Sequence, residues 1–180
     1  DGEEPIEDLS PDDPRILYAF DRKHRNTGDK RNKVNAMAQG EIICNWDDDD
    51  WSAPDRIQFQ FDLLNSSKKP MTGFGTLLFW DLVEKKAKKF TASIKGYVCG
   101  TTLCYTREFW QTHQFKPIQQ CSDNNLVYPN LKNIAASNET KYMVARIHNC
   151  HHTSPKTGVR EKVAHALIPV EFWENEKLRR

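Results

Sequence analysis

The sequence predicts an α/β protein with a mixed sheet, on three observations. Short apolar runs rich in β-formers alternate with segments of helical period through the first half. One of those runs, "EIICNW" at residues 41–46, is nearly continuous, as in a strand covered on both faces. The second half is strand-rich, which favours a mixed over a purely parallel sheet. At 180 residues the chain suits one domain. With 38% hydrophobic and 28% charged residues, its composition is that of a globular protein rather than a disordered one.

The elements follow in order. The opening "DGEEPIEDLSPDDP" is acidic and proline-punctuated, so it reads as loop. "RILYAF" at residues 15–20 reads as a strand. "KRNKVNAMA" at 30–38, with Val34, Met37 and Ala38 at helical spacing and Gly40 beyond, reads as a helix. After the strand 41–46 come four aspartates, Asp47 to Asp50, then Pro54 in the first turn of a helix capped near Ser52 or Ala53. That helix carries Ile57, Phe61 and Leu64 on one face and breaks at Lys68 to Pro70. "MTGFGTLLFW" and "KKFTASI" read as two strands, "YVCGTTLCYT" as another, and "REFWQTH" as a short helix. Ser122 caps a helix ending at or before Pro129. "KYMVARI" is the last clear strand, and "EFWENEKLRR" reads as a closing helix.

Charge and cysteine usage exclude several classes. A formal charge of +1 gives no general attraction to nucleic acid or anionic membrane. No apolar run is long enough for a membrane span, and the first residues lack the basic and apolar parts of a signal peptide, so a cytoplasmic location is expected. Five scattered cysteines without a C-x-x-C pair argue against a disulfide framework or structural zinc and for reduced, mostly buried thiols; Cys44 and Cys104 fall inside apolar runs. The cluster Cys150, His151, His152 with His148 fits no standard closed zinc site.

The aspartates pose the central question, since four like charges at the mouth of a strand need cations, backbone N–H groups or a metal to compensate them. A hard divalent ion suits oxygen ligands better than zinc would. The bland alternative is an acidic turn at the positive end of the following helix.

The frame around the aspartates, "AQGEIICNWDDDDWSAPDRI", resembles the core motif of the family 2 glycosyltransferases. Upstream "TGDKRNKVNAMAQGE" and downstream "GTTLCYTREFW" are similar to that family's flanking blocks, and the resemblance covers roughly residues 1 to 156. It implies a three-layer α/β/α GT-A fold. It also implies metal-dependent, inverting transfer of a sugar from a nucleotide-diphosphate donor, with uridine the commonest base, to a carbohydrate or other hydroxyl acceptor. Asp49 would ligate Mn²⁺ or Mg²⁺, and Asp47 would serve the metal shell or the ribose. Asp48 takes the variable position, and Asp50 caps the next helix. Asp123, in "QQCSDNNLVY", would be the general base, although Ser122 replaces the family's usual acid. His148, in "RIHNCHHTSPK", would be a third metal ligand. Lys30, Arg31 and Lys156 would face donor phosphate or base.

By the same resemblance, "DGEEP" matches the close of a first strand, helix and strand, placing Asp1 at the donor site and leaving the fold amino-terminally truncated. The single domain then divides into 1–56, the rest of the nucleotide half, 57–158, the acceptor half, and 159–180, an extension. Strand 41–46 would lose sheet neighbours and expose an edge able to pair with another chain. Two other readings stand beside this one. The first is a remnant that binds nucleotide or metal without turnover. The second is an acid-cluster phosphohydrolase or nuclease, for which no second acidic motif is found.

Overall fold

The structure, a computed structural model, describes residues 4–5, 12–23, 25–148 and 159–178. Asp1, Cys150, His151, His152 and Lys156 lie outside the described residues. The helices are α1 (Thr27–Met37), α2 (Arg56–Ser67), α3 (Arg107–Thr112), α4 (Ser122–Val127) and α5 (Val170–Leu178). The strands are β1 (Ile42–Cys44), β2 (Trp51–Ser52), β3 (Met71–Phe74), β4 (Thr76–Asp81), β5 (Lys86–Thr91), β6 (Cys104–Thr106), β7 (Ile134–Ser137), β8 (Met143–Ile147) and β9 (Val159–Lys162). They form two mixed sheets, ordered β1-β6-β3-β7 and β2-β8-β4-β5-β9. The expected mixed α/β architecture is therefore present, divided between two sheets.

The division falls inside "MTGFGTLLFW", which the sequence presents as one strand. At residue 75 the chain passes between sheets: Gly75 N–H donates to Ser137 O, and Gly75 O accepts from Ala92 N–H. β3 runs parallel to β7, and β4 parallel to β8. Met71, Phe74, Leu77, Leu78 and Phe90, all at most 1% exposed, hold the two sheets on one core. Phe59 of α2 stacks on Tyr142 with ring centroids 4.2 Å apart, a contact worth about 1 kcal/mol beyond its burial.

Several expectations are corrected. Residues 15–20 form no strand: Arg15 folds back onto Asp13, and Ile16 and Leu17 are exposed, so no apolar face drives pairing. α1 begins earlier than expected, at Thr27, because Asn26 caps it by accepting from Asp29 N–H. It docks by polar contacts, not by Val34, which is 63% exposed. Gly28 sits so close to the Lys116 carbonyl that a Cβ would come within 1.8 Å of its oxygen, and Asn32 donates to Phe115 O.

In α2 the expected apolar face is inverted. Ile57 and Phe61 are exposed, while Arg56, Gln60 and Leu64 are buried. The i, i+4 pair Arg56–Gln60 turns inward because it satisfies buried backbone carbonyls, which exposed apolar groups cannot do. Lys68, in the left-handed region, ends the helix where expected.

β1 is short and lies at the end of its sheet, paired only with β6 among the described residues. Its burial alternates, so it is not covered on both faces, whereas the expected edge is present. "YVCGTTLCYT" yields only β6, preceded by a 3₁₀ turn at Gly100–Thr102. Cys121, not Ser122, takes the cap position of α4. β7 and β9 were not expected from the sequence. β9 adds the carboxyl-terminal segment to the five-stranded sheet through β5.

Candidate active site at the aspartate corner

The chain leaves β1 through Asn45 and Trp46 and turns sharply at the aspartates, with Asp50 N–H donating to Asp47 O at 3.4 Å. It then enters β2, which pairs with β8 in the other sheet. The aspartates thus sit where the chain crosses between sheets, at the carboxyl end of β1. In that corner one carboxylate oxygen each from Asp47, Asp49 and Asp50 lies within 4.8 Å of the other two. Asp48 is exposed and is not part of that group.

Four contacts aim the cluster, from β8, from His148 just after it and from the turn before β6. Arg146 N–H donates to Asp50 Oδ1 at 2.9 Å, and Thr101 Oγ1 donates to Asp50 Oδ2 at 2.9 Å. Arg146 Nη1 donates to the Asp49 carbonyl at 2.6 Å, and His148 Nε2 lies 2.8 Å from Asp49 Oδ2. Burial, with the nearby charges of Asp49 and Asp47 adding to it, outweighs these two hydrogen bonds and pushes the Asp50 carboxyl up to about 6. Asp50 is therefore an anchored member of the cluster, not the helix cap expected; the cap position of α2 belongs to Asp55.

Arg146 is the residue that sequence reading missed. Its side chain is 2% exposed and its guanidinium donates to Glu176 Oε1 on α5, at 2.9 Å from Nε and 2.5 Å from Nη2. It also lies over the Phe172 ring, 5.2 Å from its centroid. The closing helix is thereby tied to the aspartate turn through one cation. A lone arginine in an apolar run, two residues before a histidine, is the faint signal the sequence carries.

Arg56 is the matching strut on the β1 side, fully buried, with its guanidinium pKa lowered chiefly by that burial. It donates to Asn45 O and Thr101 O, each at 3.1 Å, to Ser52 Oγ at 2.9 Å and to Gln60 Oε1 at 3.0 Å. The Thr101 turn is thus held from two sides, by Asp50 and by Arg56.

Asp123 abuts that same turn. A Cβ on Gly100 would come within 1.9 Å of Asp123 Oδ2, so only glycine leaves room for the carboxylate there. Asp123 and Asp50 consequently flank neighbouring residues, Gly100 and Thr101. Arg31 reaches across from α1, placing Nη1 3.3 Å from Asp123 Oδ1 and 3.4 Å from Ser122 Oγ. Arg31 thus meets the expected base rather than the aspartate cluster, while Lys30, half-buried, precedes it on α1.

The structure therefore brings together Asp47, Asp49 and His148, with Asp50 and Arg146 added. It sets Asp123 and Arg31 on the far side of the Gly100–Thr101 turn. The convergent donor set is the three carboxylates, oxygen donors that fit a hard divalent cation better than zinc; His148 hydrogen-bonds Asp49 and is not part of that set.

Residues 1–76 match the family model for glycosyl transferase family 2. A search of curated proteins gives no significant match. Among solved structures, the fold is similar to residues 1–349 of S. aureus TarS in complex with UDP-GlcNAc, with a TM-score of 0.51 and 13% identity. That alignment covers 71% of this chain and 41% of the other. The same S. aureus protein in complex with UDP aligns with a TM-score of 0.51 and 14% identity, over 68% and 40%. The chain thus spans about 41% of the length of the first of these neighbours. Less than half of the chain, residues 1–76, thus matches the glycosyl transferase family 2 model, and its mixed α/β fold is similar to that of this S. aureus protein.

Proposed function

We propose that this chain supports metal-dependent, inverting transfer of a sugar from a nucleotide-diphosphate donor, a UDP-sugar, to a hydroxyl acceptor. The observation that carries the reading is the convergence of Asp47, Asp49 and Asp50 within 4.8 Å, with His148 on Asp49. The UDP-GlcNAc and UDP complexes of the structurally similar S. aureus protein support the choice of donor.

In this reading Asp49, Asp47 and His148 hold Mn²⁺ or Mg²⁺. When bound, the cation neutralises the diphosphate charge that grows as the glycosidic bond breaks. The remaining steps belong to the chain's own side chains. Asp123 takes the proton of the acceptor hydroxyl, whose oxygen bonds to the anomeric carbon as the nucleoside diphosphate leaves with the electrons of the broken C–O bond. Asp50 positions the turn and stays hydrogen-bonded to β8 and Thr101. Asp48, Lys30, Arg31 and Asp1 serve the donor's ribose, phosphates or base.

One observation favours a second reading, binding without turnover. The expected base is paired with Arg31, Nη1 lying 3.3 Å from its Oδ1, which gives that carboxylate a role in holding α1 to α4 without any proton transfer.

Calorimetric titration with UDP, with and without Mn²⁺, tests the first step. Binding should require the metal and fall at least tenfold in Asp49→Ala; metal-independent binding, or none, overturns the proposal. A transfer assay then separates the two readings. Transfer that Asp123→Asn abolishes excludes the binding-only reading, and UDP binding with no transfer in the parent chain supports it.

A further inference from the structure

Cys44 and Cys104 were expected to be separate packing thiols, yet the topology makes them a pair. They are direct partners in the antiparallel ladder of β1 and β6. Asn45 N–H donates to Leu103 O and Arg107 N–H to Glu41 O, so the hydrogen-bonded rungs fall on the odd positions of β1. Cys44 and Cys104 therefore occupy the intervening non-hydrogen-bonded rung. There the Cα atoms stand about 4.5 Å apart and the side chains approach most closely, within the range a disulfide spans. Their sulfurs lie 2.9 Å apart, closer than the van der Waals contact of two sulfur atoms.

Access is asymmetric. Cys104 is fully buried, whereas Cys44 is half-buried and both line a pocket of about 440 Å³ beside Ile42, Ile57, Gln58 and Phe61. We propose that Cys44 and Cys104 form a reversible redox site, with Cys44 attacking a hydroperoxide that enters this pocket and Cys104 resolving the product to a cross-strand disulfide.

The electrostatics agree with that division of roles. The hydrogen bond with Cys104 holds the Cys44 thiol below its ordinary value, and the Arg56 charge adds to this against the opposing effect of burial. The same hydrogen bond, together with burial, raises Cys104. Thiolate character and exposure are what make a cysteine oxidisable, and Cys44 has more of both.

The Cys44 thiolate attacks one peroxide oxygen. The O–O bond breaks, hydroxide or alkoxide leaves and takes a proton, and Cys44 becomes a sulfenic acid. The Cys104 sulfur then attacks the Cys44 sulfur. The S–O bond breaks, the departing hydroxide takes up the Cys104 proton as water, and the S–S bond forms. Two thiols lose two electrons and the peroxide gains them. The bridge would tie the edge strand to β6 three residues before Asp47, at a stretch of β1 otherwise held by backbone bonds and Arg56.

The test is hydrogen peroxide at a few equivalents on the native chain, followed by thiol titration after unfolding and peptide mapping without reductant. Two of the five thiols should disappear, and fragmentation should place the bridge between Cys44 and Cys104, reversible by dithiothreitol. In Cys104→Ser, Cys44 should accumulate as a sulfenic acid captured by dimedone. If that variant does not fold, the map of the parent chain decides alone. The proposal is overturned if both thiols survive, if Cys44 bridges to Cys99 or Cys121, or if Cys44 passes to sulfinic acid while Cys104 stays a thiol.

Discussion

The two strands flanking the aspartate corner are built differently. β1 has three residues, alternates in burial and lies at the end of its sheet. β8 has five residues, four of them buried, and lies between β2 and β4. Sequence order suggests that β1 aims the aspartates, because they follow it directly. Yet the contacts to Asp49 and Asp50 come from β8 and the Thr101 turn, nearly a hundred residues away along the chain for Arg146 and His148. β1 delivers the carboxylates, and β8 fixes them. A short edge strand is deformable, so a cluster of like charges needs its geometry imposed by the better-packed neighbour.

Removing the two buried arginines one at a time breaks this comparison most directly. Arg56→Ala leaves Asn45 O, Thr101 O and Gln60 without their donor inside the core, and Arg146→Ala leaves Glu176 and the Asp49 carbonyl without theirs. Each should cost about 3 kcal/mol in urea unfolding, as expected when a buried charge network loses one member. The difference should appear in Mn²⁺ affinity, measured in variants that remain folded. Arg146→Lys, which cannot reproduce the forked contacts, should weaken Mn²⁺ binding several-fold, whereas Arg56→Lys should change it less than twofold. Equal losses would mean that β1 positions the cluster as much as β8 does.

How far the sequence reveals this arrangement depends on the range of the contacts involved. α3, β8 and the closing helix are written in local pattern and turn chemistry and stand where expected, whereas Pro54 lies just before the α2 cap Asp55 and not in the helix's first turn. His148 was expected at the cluster through a family motif and lies on Asp49. The inward face of α2 was misread because hydrophobic periodicity assumes that apolar groups face the core. Arg56 and Gln60 instead face buried carbonyls that only the folded turn at Gly100–Thr102 creates. The strand expected at 15–20 has suitable composition but no neighbouring edge among the described residues, and composition alone cannot supply one. Arg146, for which the sequence carries only a faint signal, and the pairing of Cys44 with Cys104 each become meaningful only once two strands distant in sequence are side by side.

A smaller effect sharpens the role of the β8 side. Asp50 is raised to about 6 from an ordinary value of 3.8, so the folded state holds its proton more tightly than the unfolded chain. The stabilisation from this group is complete below about pH 4 and disappears as pH rises through 6, at most about 3 kcal/mol in all. Thermal melts of the parent chain and Asp50→Asn between pH 4 and 7 should diverge accordingly, with the parent losing stability relative to the variant as pH rises. Parallel curves would show that Asp50 is solvated as freely as an ordinary surface carboxylate.

The smallest effect is expected on the opposite side of β1, where α2 turns Ile57 and Phe61 outward at 53% and 43% exposure. Side chains this exposed have little burial to lose, so Ile57→Ser and Phe61→Ser should each change unfolding free energy by less than about 0.5 kcal/mol. That expectation holds for the chain as a monomer. β1 pairs only with β6 among the described residues, and the apolar pocket containing Ile42, Ile57 and Phe61 lies beside it. If the two substitutions cost about 2 kcal/mol or more, and the loss grows with protein concentration in matched melts, a second chain is covering this face. Sedimentation of the parent chain at two concentrations would then show association that Phe61→Ser weakens. If the cost is small and sedimentation does not change, β1 is an edge in solution as well, and the aspartate corner is held by β8 and the Thr101 turn without a second chain.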